Sequence, residues 1–173
     1  MNITTQDKKF ILRIATFEDA ELIVTFMKKL GKFQKMKDSI SATPEDIKKL
    51  LSQKLGEAVF GYYKGTLVSF AYFYKKSSAF TGKSGIYIDG FFIDDSMRGK
   101  GLGTIMFQFL SKYCVDNGSE FLEWACLDWN DQAIDFYKKQ GAYCIDTMRI
   151  YRLSPQSLSK NAKLFKINQK EDI

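Results

Sequence analysis

Residues 85–114 read G-I-Y-I-D-G-F-F-I-D-D-S-M-R-G-K-G-L-G-T-I-M-F-Q-F-L-S-K-Y-C, and this stretch decides the fold. Residues 85–93 are rich in Ile, Tyr and Phe, the composition of a strand buried on at least one face. After a turn at 94–98 the period changes. Leu102, Ile105, Met106, Phe109, Leu110, Tyr113 and Cys114 recur at helical spacing, so an amphipathic helix follows, stopped by Asn117-Gly118. Between strand and helix lies Arg98-Gly99-Lys100-Gly101-Leu102-Gly103-Thr104. Its alternate glycines let successive backbone N–H groups turn inward without a Cβ in the way. At a helix N-terminus such a turn makes a site for phosphate or pyrophosphate, with Arg98 and Lys100 adding charge and Thr104 a hydroxyl donor. A G-x-G turn alone more often reads as a plain tight turn; the strand-before, helix-after context brings the two readings level.

Working outward toward the C-terminus, residues 121–127 predict a strand. Asp128-Trp129-Asn130 closes it, and Asn130 caps a helix over 131–140. Asn130, Ala133 or Ile134, and Tyr137 share a face of that helix, although spacing alone makes Tyr137 a packing residue before a functional phenol. A strand pair is expected at 142–152, and the polar, Lys-bearing tail 154–173 predicts weak order. Toward the N-terminus, residues 10–15 predict a strand, and Thr16 with Asp19 opens a helix to about residue 30. Thr43, Pro44, Glu45 and Asp46 open a second helix to about residue 53. Strands at 58–63 and 67–74 are joined by Lys64-Gly65-Thr66 as a hairpin, followed by a polar loop at 77–84. The fold class is therefore α/β (α+β): one domain over 1–153 with a mixed sheet flanked by helices, and an accessory tail over 154–173.

Composition agrees and excludes. With 173 residues, 45% hydrophobic and only 2 Pro, the chain suits one well-packed domain. It has no histidine, which removes a His base, a Ser-His or Cys-His pair, and His-ligated zinc. The net charge of +6 is spread without long like-charge runs, so it reads as a Lys-rich surface and not as a nucleic-acid arm. Cys114, Cys126 and Cys144 form no CxxC pair, so no metal is expected; their apolar surroundings predict reduced core thiols of a cytoplasmic protein. The longest apolar run, 67–74, is far too short to span a membrane, and no membrane partner is expected. Gly82-Lys83-Ser84 imitates the end of a P-loop, but Ser77 stands where that motif needs Gly.

The sequence resembles the GNAT superfamily of N-acetyltransferases across roughly residues 10–153. R-G-K-G-L-G-T after a strand is similar to that superfamily's acetyl-CoA pyrophosphate loop. N-D-Q-A-I-D-F-Y-K-K-Q-G-A is similar to its N-x-x-A-x-x-x-Y-x-x-x-G-A helix. I-Y-I-D-G-F-F-I and L-D-W-N resemble segments of the diamine (spermidine/spermine) branch. The resemblance implies a six- to seven-stranded, mostly antiparallel sheet with about four helices. It implies acetyl-CoA as cosubstrate, a small-molecule amine acceptor and a homodimer. The backbone of Phe91, Phe92 and Ile93 would bond the pantetheine arm, and residues Arg98, Gly99, Lys100, Gly101, Leu102, Gly103 and Thr104 would hold the pyrophosphate. Asn130, Asp131, Ala133 and Tyr137 would face the cofactor, with Tyr137 protonating the departing thiolate and Asp89 acting through water on the amine. Phe33, Gln34 and Phe80 would line the acceptor.

The departures argue against a polyamine acceptor. Asp89-Gly90 stands where the diamine branch has Glu-Asp, Phe33-Gln34 where it has Tyr-Glu, and Ser78 and Phe80 where it has an acid and Trp. A non-catalytic acyl-CoA-binding regulatory module is the alternative. A nucleic-acid-binding domain rests on pI and R-G-K-G alone.

Overall fold

Three antiparallel hairpins in succession build the frame, and the computed structural model describes residues 2–165 of it. The strands are β1 (Asn2–Thr4), β2 (Phe10–Ile14), β3 (Glu57–Tyr63), β4 (Thr66–Ser78), β5 (Lys83–Ile93) and β6 (Phe121–Trp124). They form one sheet in the order β1-β2-β3-β4-β5-β6. Every pair is antiparallel except β5 with β6, as the helical crossover between them requires. The mixed, mostly antiparallel sheet is thus as expected. Tyr63 pairs with Thr66, so the β3–β4 turn is Lys64-Gly65, one residue shorter than the sequence suggests. The predicted loop at 77–84 shrinks to a turn at 79–82, since pairing runs on to Ser78↔Lys83.

The helices are α1 (Ala20–Phe33), α2 (Pro44–Ser52), α3 (Leu102–Asp116), α4 (Asp131–Lys139) and α5 (Pro155–Leu164). α2 begins as Thr43 and Asp46 dictate, in a reciprocal capping box with Pro44 in the first turn. Thr16 and Asp19 form the same box, but it opens a short 3-10 turn over Phe17–Asp19 that leads into α1. The Arg13 guanidinium grips Asp19 with two hydrogen bonds, of 2.8 and 2.7 Å, and donates another to the Tyr62 hydroxyl. That grip fixes the β2–α1 corner.

The chain divides into two compact units, Met1–Asp135 and Phe136–Ile173. In the first, Ile23, Phe26 and Leu30 of α1 and Ile47 of α2 bury against Phe60, Phe70, Tyr72 and Phe92 of the sheet. Phe70 and Phe92 are register partners, so they share this face, and Ala71↔Phe91 take the other. There α3 buries Leu102, Met106, Phe107, Leu110 and Cys114. Phe107 meets the Trp124 ring edge-on at 5.1 Å, and Phe73 meets Tyr113 at 5.3 Å. Each such phenylalanine contributes about 1.5–3 kcal/mol of transfer free energy. Only Cys114 of the three cysteines is buried. Cys126 and Cys144 are exposed, which corrects the expectation that all three are core residues.

In the second unit the left-handed Gly141 ends α4, with the Ala142 N–H donating to the Tyr137 carbonyl at 3.1 Å. Residues 142–152 contain no strand, so the expected strand pair is absent among the described residues. The tail holds more structure than its composition suggests. Ser154 caps α5, its side chain accepting from the Ser157 N–H, and Pro155 fills the first turn. The end of the tail, from 166, lies outside the described residues.

Candidate active site

The site grows from one irregularity in β5. Tyr72 pairs with Gly90 and the next residue, Phe73, pairs with Ile88, so Asp89 is the extra residue of a β-bulge. A bulge puts two residues opposite one and re-aims the side chain. Asp89 thereby stands exposed on the sheet near three phenols. Burial first, and then the Asp89 charge, push the Tyr72, Tyr74 and Tyr87 hydroxyls above their ordinary pKa. Tyr74 and Tyr87 stack at 5.3 Å, and the Ala125 backbone hydrogen-bonds the Tyr87 phenol.

Gly90, beside the bulge, sits closely under α1. A Cβ there would lie 3.0 Å from Met27 Sδ, 3.3 Å from Phe70 Cε1 and 3.6 Å from Leu30 Cδ2. A side chain at position 90 would therefore have to displace the Met27 thioether where α1 crosses β5.

Beyond the bulge the sheet opens. β5 pairs with β6 only as far as Ile88↔Trp124, whereas its pairing with β4 continues to Ile93. Phe91, Phe92 and Ile93 thus occupy the part of β5 past the end of β6. A 3-10 turn at Asp95–Met97 leads into the glycine loop, where Gly99 (φ 73°) and Gly101 (φ 78°) are both left-handed. Nothing lies within 4 Å of a Cβ built on either, so a backbone cradle stands open there. Gly101 is the N-cap of α3; no side chain caps this helix and no acid occupies its first turn. Such an end presents the positive pole of the helix and its first N–H groups to an anion. These features fit the pyrophosphate of acetyl-CoA. Gly103 and Thr104 sit in the first turn of α3, and Leu102 is buried as its anchor.

Arg98 takes a different place from a simple phosphate ligand. Its guanidinium pairs with Asp95 at 2.7 Å, Nε donates to the Ile93 carbonyl at 3.3 Å, and the group lies 4.3 Å from the Phe33 ring centroid. It braces the glycine loop against the end of α1. Lys100 is exposed beside it, its ammonium 3.4 Å from Met97 Sδ. Phe33 also approaches the Trp129 ring at 6.3 Å, and the Lys35 ammonium lies over Trp129 at 5.3 Å. Gln34 is the C-cap of α1, its N–H donating to the Leu30 carbonyl. Asn130 behaves as its sequence position predicts, accepting from the Ala133 N–H at 3.3 Å and opening α4 over Asp131 and Ala133.

Phe80 does not join this group. It is fully exposed at the tip of the β4–β5 hairpin. The six residues from Lys83 to Asp89 put it roughly 20 Å along the strand from that carboxylate. Tyr137 lies in the second unit, where its ring meets Phe136 at 5.3 Å. Among the described residues there is no group of three potential metal ligands and no helix long and apolar enough to cross a membrane.

The sequence model of the acetyltransferase (GNAT) family matches residues 26–142, which contain the bulge, the glycine loop and α4. The chain belongs to this family. It is 32% identical over 119 residues to the L-ornithine N5-acetyltransferase of Arabidopsis thaliana, a match covering 69% of this chain and 49% of that protein. The chain therefore spans about half the length of that relative. It is 28% identical over 130 residues to the thialysine N-epsilon-acetyltransferase of Caenorhabditis elegans, covering 75% and 81% respectively. Among solved structures, an aminoglycoside acetyltransferase from an uncultured soil metagenomic sample, in complex with sisomicin, superimposes with a TM-score of 0.74 at 17% identity over 86% of this chain and 99% of that one. That likeness shows the fold. Within this GNAT framework, the Tyr72–Tyr74–Tyr87 ring around Asp89 escaped the sequence reading. Its only signal is the period-two alternation of Tyr72 with Tyr74 and Tyr87 with Asp89.

Proposed function

We propose that the chain is an acetyl-CoA-dependent N-acetyltransferase that moves the acetyl group directly to a primary amine of a small molecule. The observation that carries this reading is the uncapped, acid-free N-terminus of α3, opened by two left-handed glycines at the end of β5. The relatives named for ornithine and thialysine support an amine acceptor of amino-acid size. A bare polyamine fits poorly, because Gly90 leaves Asp89 as the one acid of its pair.

Acetyl-CoA supplies a thioester. An amine of ordinary pKa 10.4 sits about three units above neutrality, so deprotonating it costs roughly 4 kcal/mol. Asp89 takes that proton through water, which lets the nitrogen attack the carbonyl carbon. A β5 backbone N–H near Phe91 steadies the oxygen as charge develops. As the C–N bond forms, the C–S bond breaks, and Tyr137 protonates the thiolate; its role rests on the N-x-x-A-x-x-x-Y spacing. The reading includes a cytoplasmic homodimer, for which sedimentation is the measurement.

Thiol release from acetyl-CoA, measured against polyamines, amino acids, aminoglycosides and peptides, tests the activity. Turnover with one of these amines is expected, and Tyr137→Phe should lower kcat by about a hundredfold. Binding of acetyl-CoA without turnover on the whole panel would make the chain an acyl-CoA-binding module instead.

A further inference from the structure

A second carboxylate stands beside Tyr87, on the strand next to that of Asp89. Glu123 of β6 is the register partner of Tyr87, so both project from one face of the sheet. Tyr74 and Tyr87 are themselves partners across β4 and β5. Both phenols feel the Asp89 charge and the Glu123 charge, each raising them, and both feel Lys76, which lowers them. Tyr87 therefore has Glu123 beside it across the ladder and Asp89 two residues along its own strand, with Tyr74 stacked on its other side. From strand spacing, one strand across and two residues along, these carboxylates stand roughly 8 Å apart on the diagonal. Two acids that far apart, with the Tyr87 ring beside both, suit a molecule carrying an ammonium at each end.

The distal acid is already occupied. The Lys76 ammonium is ion-paired with Glu123 and lies 5.4 Å from the Tyr87 ring centroid. These are the contacts that a second ammonium of a substrate would make, a carboxylate and an aromatic face. We propose that Lys76 is an internal stand-in for that ammonium and makes the acceptor site selective for amines without a bare second cation. The inference rests on the acetyltransferase reading above and names its acceptor class. With Lys76 in place the Glu123 charge is cancelled, and Asp89 is left to receive one amine. An α-amino-acid end brings its own carboxylate and does not call on Glu123, whereas the far ammonium of a diamine meets the charge of Lys76. This adds a second reason for polyamine exclusion, independent of Gly90.

The test compares cadaverine with pentylamine, which differ by one terminal ammonium, in the thiol-release assay. For wild type, Lys76→Ala, Lys76→Gln and Lys76→Ala/Glu123→Gln, the quantity read is the ratio of kcat/KM for the diamine to that for the monoamine. Removing Lys76 should raise the ratio by about two- to fivefold, the scale of one freed, partly exposed ion pair. Adding Glu123→Gln should return it to the wild-type value, because the freed carboxylate is what attracts the second ammonium. An unchanged ratio in both single variants, with pentylamine turned over, overturns the inference and leaves the activity standing. A raised ratio that survives Glu123→Gln overturns it as well, since the gain would not come through Glu123. Absence of thiol release by the wild type with every amine tested removes the acetyltransferase reading, and the inference with it.

Discussion

The Arg98 guanidinium lies 4.3 Å from the centroid of the Phe33 ring. This one contact ties the end of α1 to the start of the glycine loop, because Arg98 immediately precedes the left-handed Gly99. The planar guanidinium stacks on the ring while a terminal nitrogen holds Asp95 and Nε donates to the Ile93 carbonyl, a fixed fork of three contacts that a point-charge ammonium does not reproduce. Arg98→Lys should therefore keep the charge and still weaken acetyl-CoA binding, by roughly three- to tenfold, an effect of about 1 kcal/mol. Calorimetric titration with acetyl-CoA measures it. Unaltered affinity in the lysine variant would reduce the role of Arg98 to its charge.

Gly101 carries the helix cap at φ 78° with open space around its missing Cβ. Gly101→Ala thus meets no clash, only the intrinsic cost of holding an L-residue left-handed, about 1 kcal/mol. For a chain of this size the melting temperature should fall by about 2–4 °C. Alanine would also narrow the cradle, so the stabilisation that acetyl-CoA confers should shrink. Gly103→Ala is the control, since residue 103 lies within α3 and is not left-handed. Equal losses of melting temperature in both variants would contradict the assignment.

The parts of this design that were legible in the sequence are those set by local chemistry. Thr43-Pro44 fixed the start of α2, the period shift after Arg98 located α3, and Asn130 marked the start of α4. The glycine loop was visible because its conformational demand falls on single residues. What escaped depends on partners distant in the chain. The Asp89 bulge exists only relative to Tyr72 and Phe73 across the ladder. Lys76 gives no sign in sequence of its partner Glu123, which lies in another strand. β1 was missed because three residues at a sheet edge carry too little pattern to register. α5 was missed for a different reason: its start, Ser154-Pro155, is a capping signal that polar composition obscured.

Acid should loosen the β2–α1 corner. The Arg13 guanidinium and then the Thr16 backbone N–H hold the Asp19 carboxyl below its ordinary value of 3.8, against the opposing effect of burial. A carboxylate depressed in the folded state adds stability that is full above its unfolded pKa. That stability is lost as pH falls through the folded value. Asp19→Asn should melt below wild type at pH 7 by about 3–6 °C, from roughly 1.5 kcal/mol of charge-assisted hydrogen bonding. The two melting curves should converge as pH is lowered from 4 toward 2. A gap that stays constant across that range would show that the contribution of Asp19 is not its charge.

Restoring the absent second acid should harm the fold. A Cβ at position 90 would press on Met27 Sδ at 3.0 Å and on Phe70 Cε1 at 3.3 Å, and neither atom belongs to an exposed chain. Gly90→Ala needs only a small shift of the flexible Met27 thioether and should cost about 1 kcal/mol. Gly90→Asp adds a carboxylate to the buried face beneath α1, among Met27, Leu30 and Phe70. Its cost should reach about 2 kcal/mol or more, lowering the melting temperature by about 4–8 °C. Met27→Ala in the Gly90→Asp background relieves the contact with the sulfur and should recover part of the loss, although the charge stays buried. If Gly90→Asp melts with the wild type, α1 yields freely at this crossing. The absence of the second acid would then reflect what the acceptor site requires and not how closely the helix packs on β5.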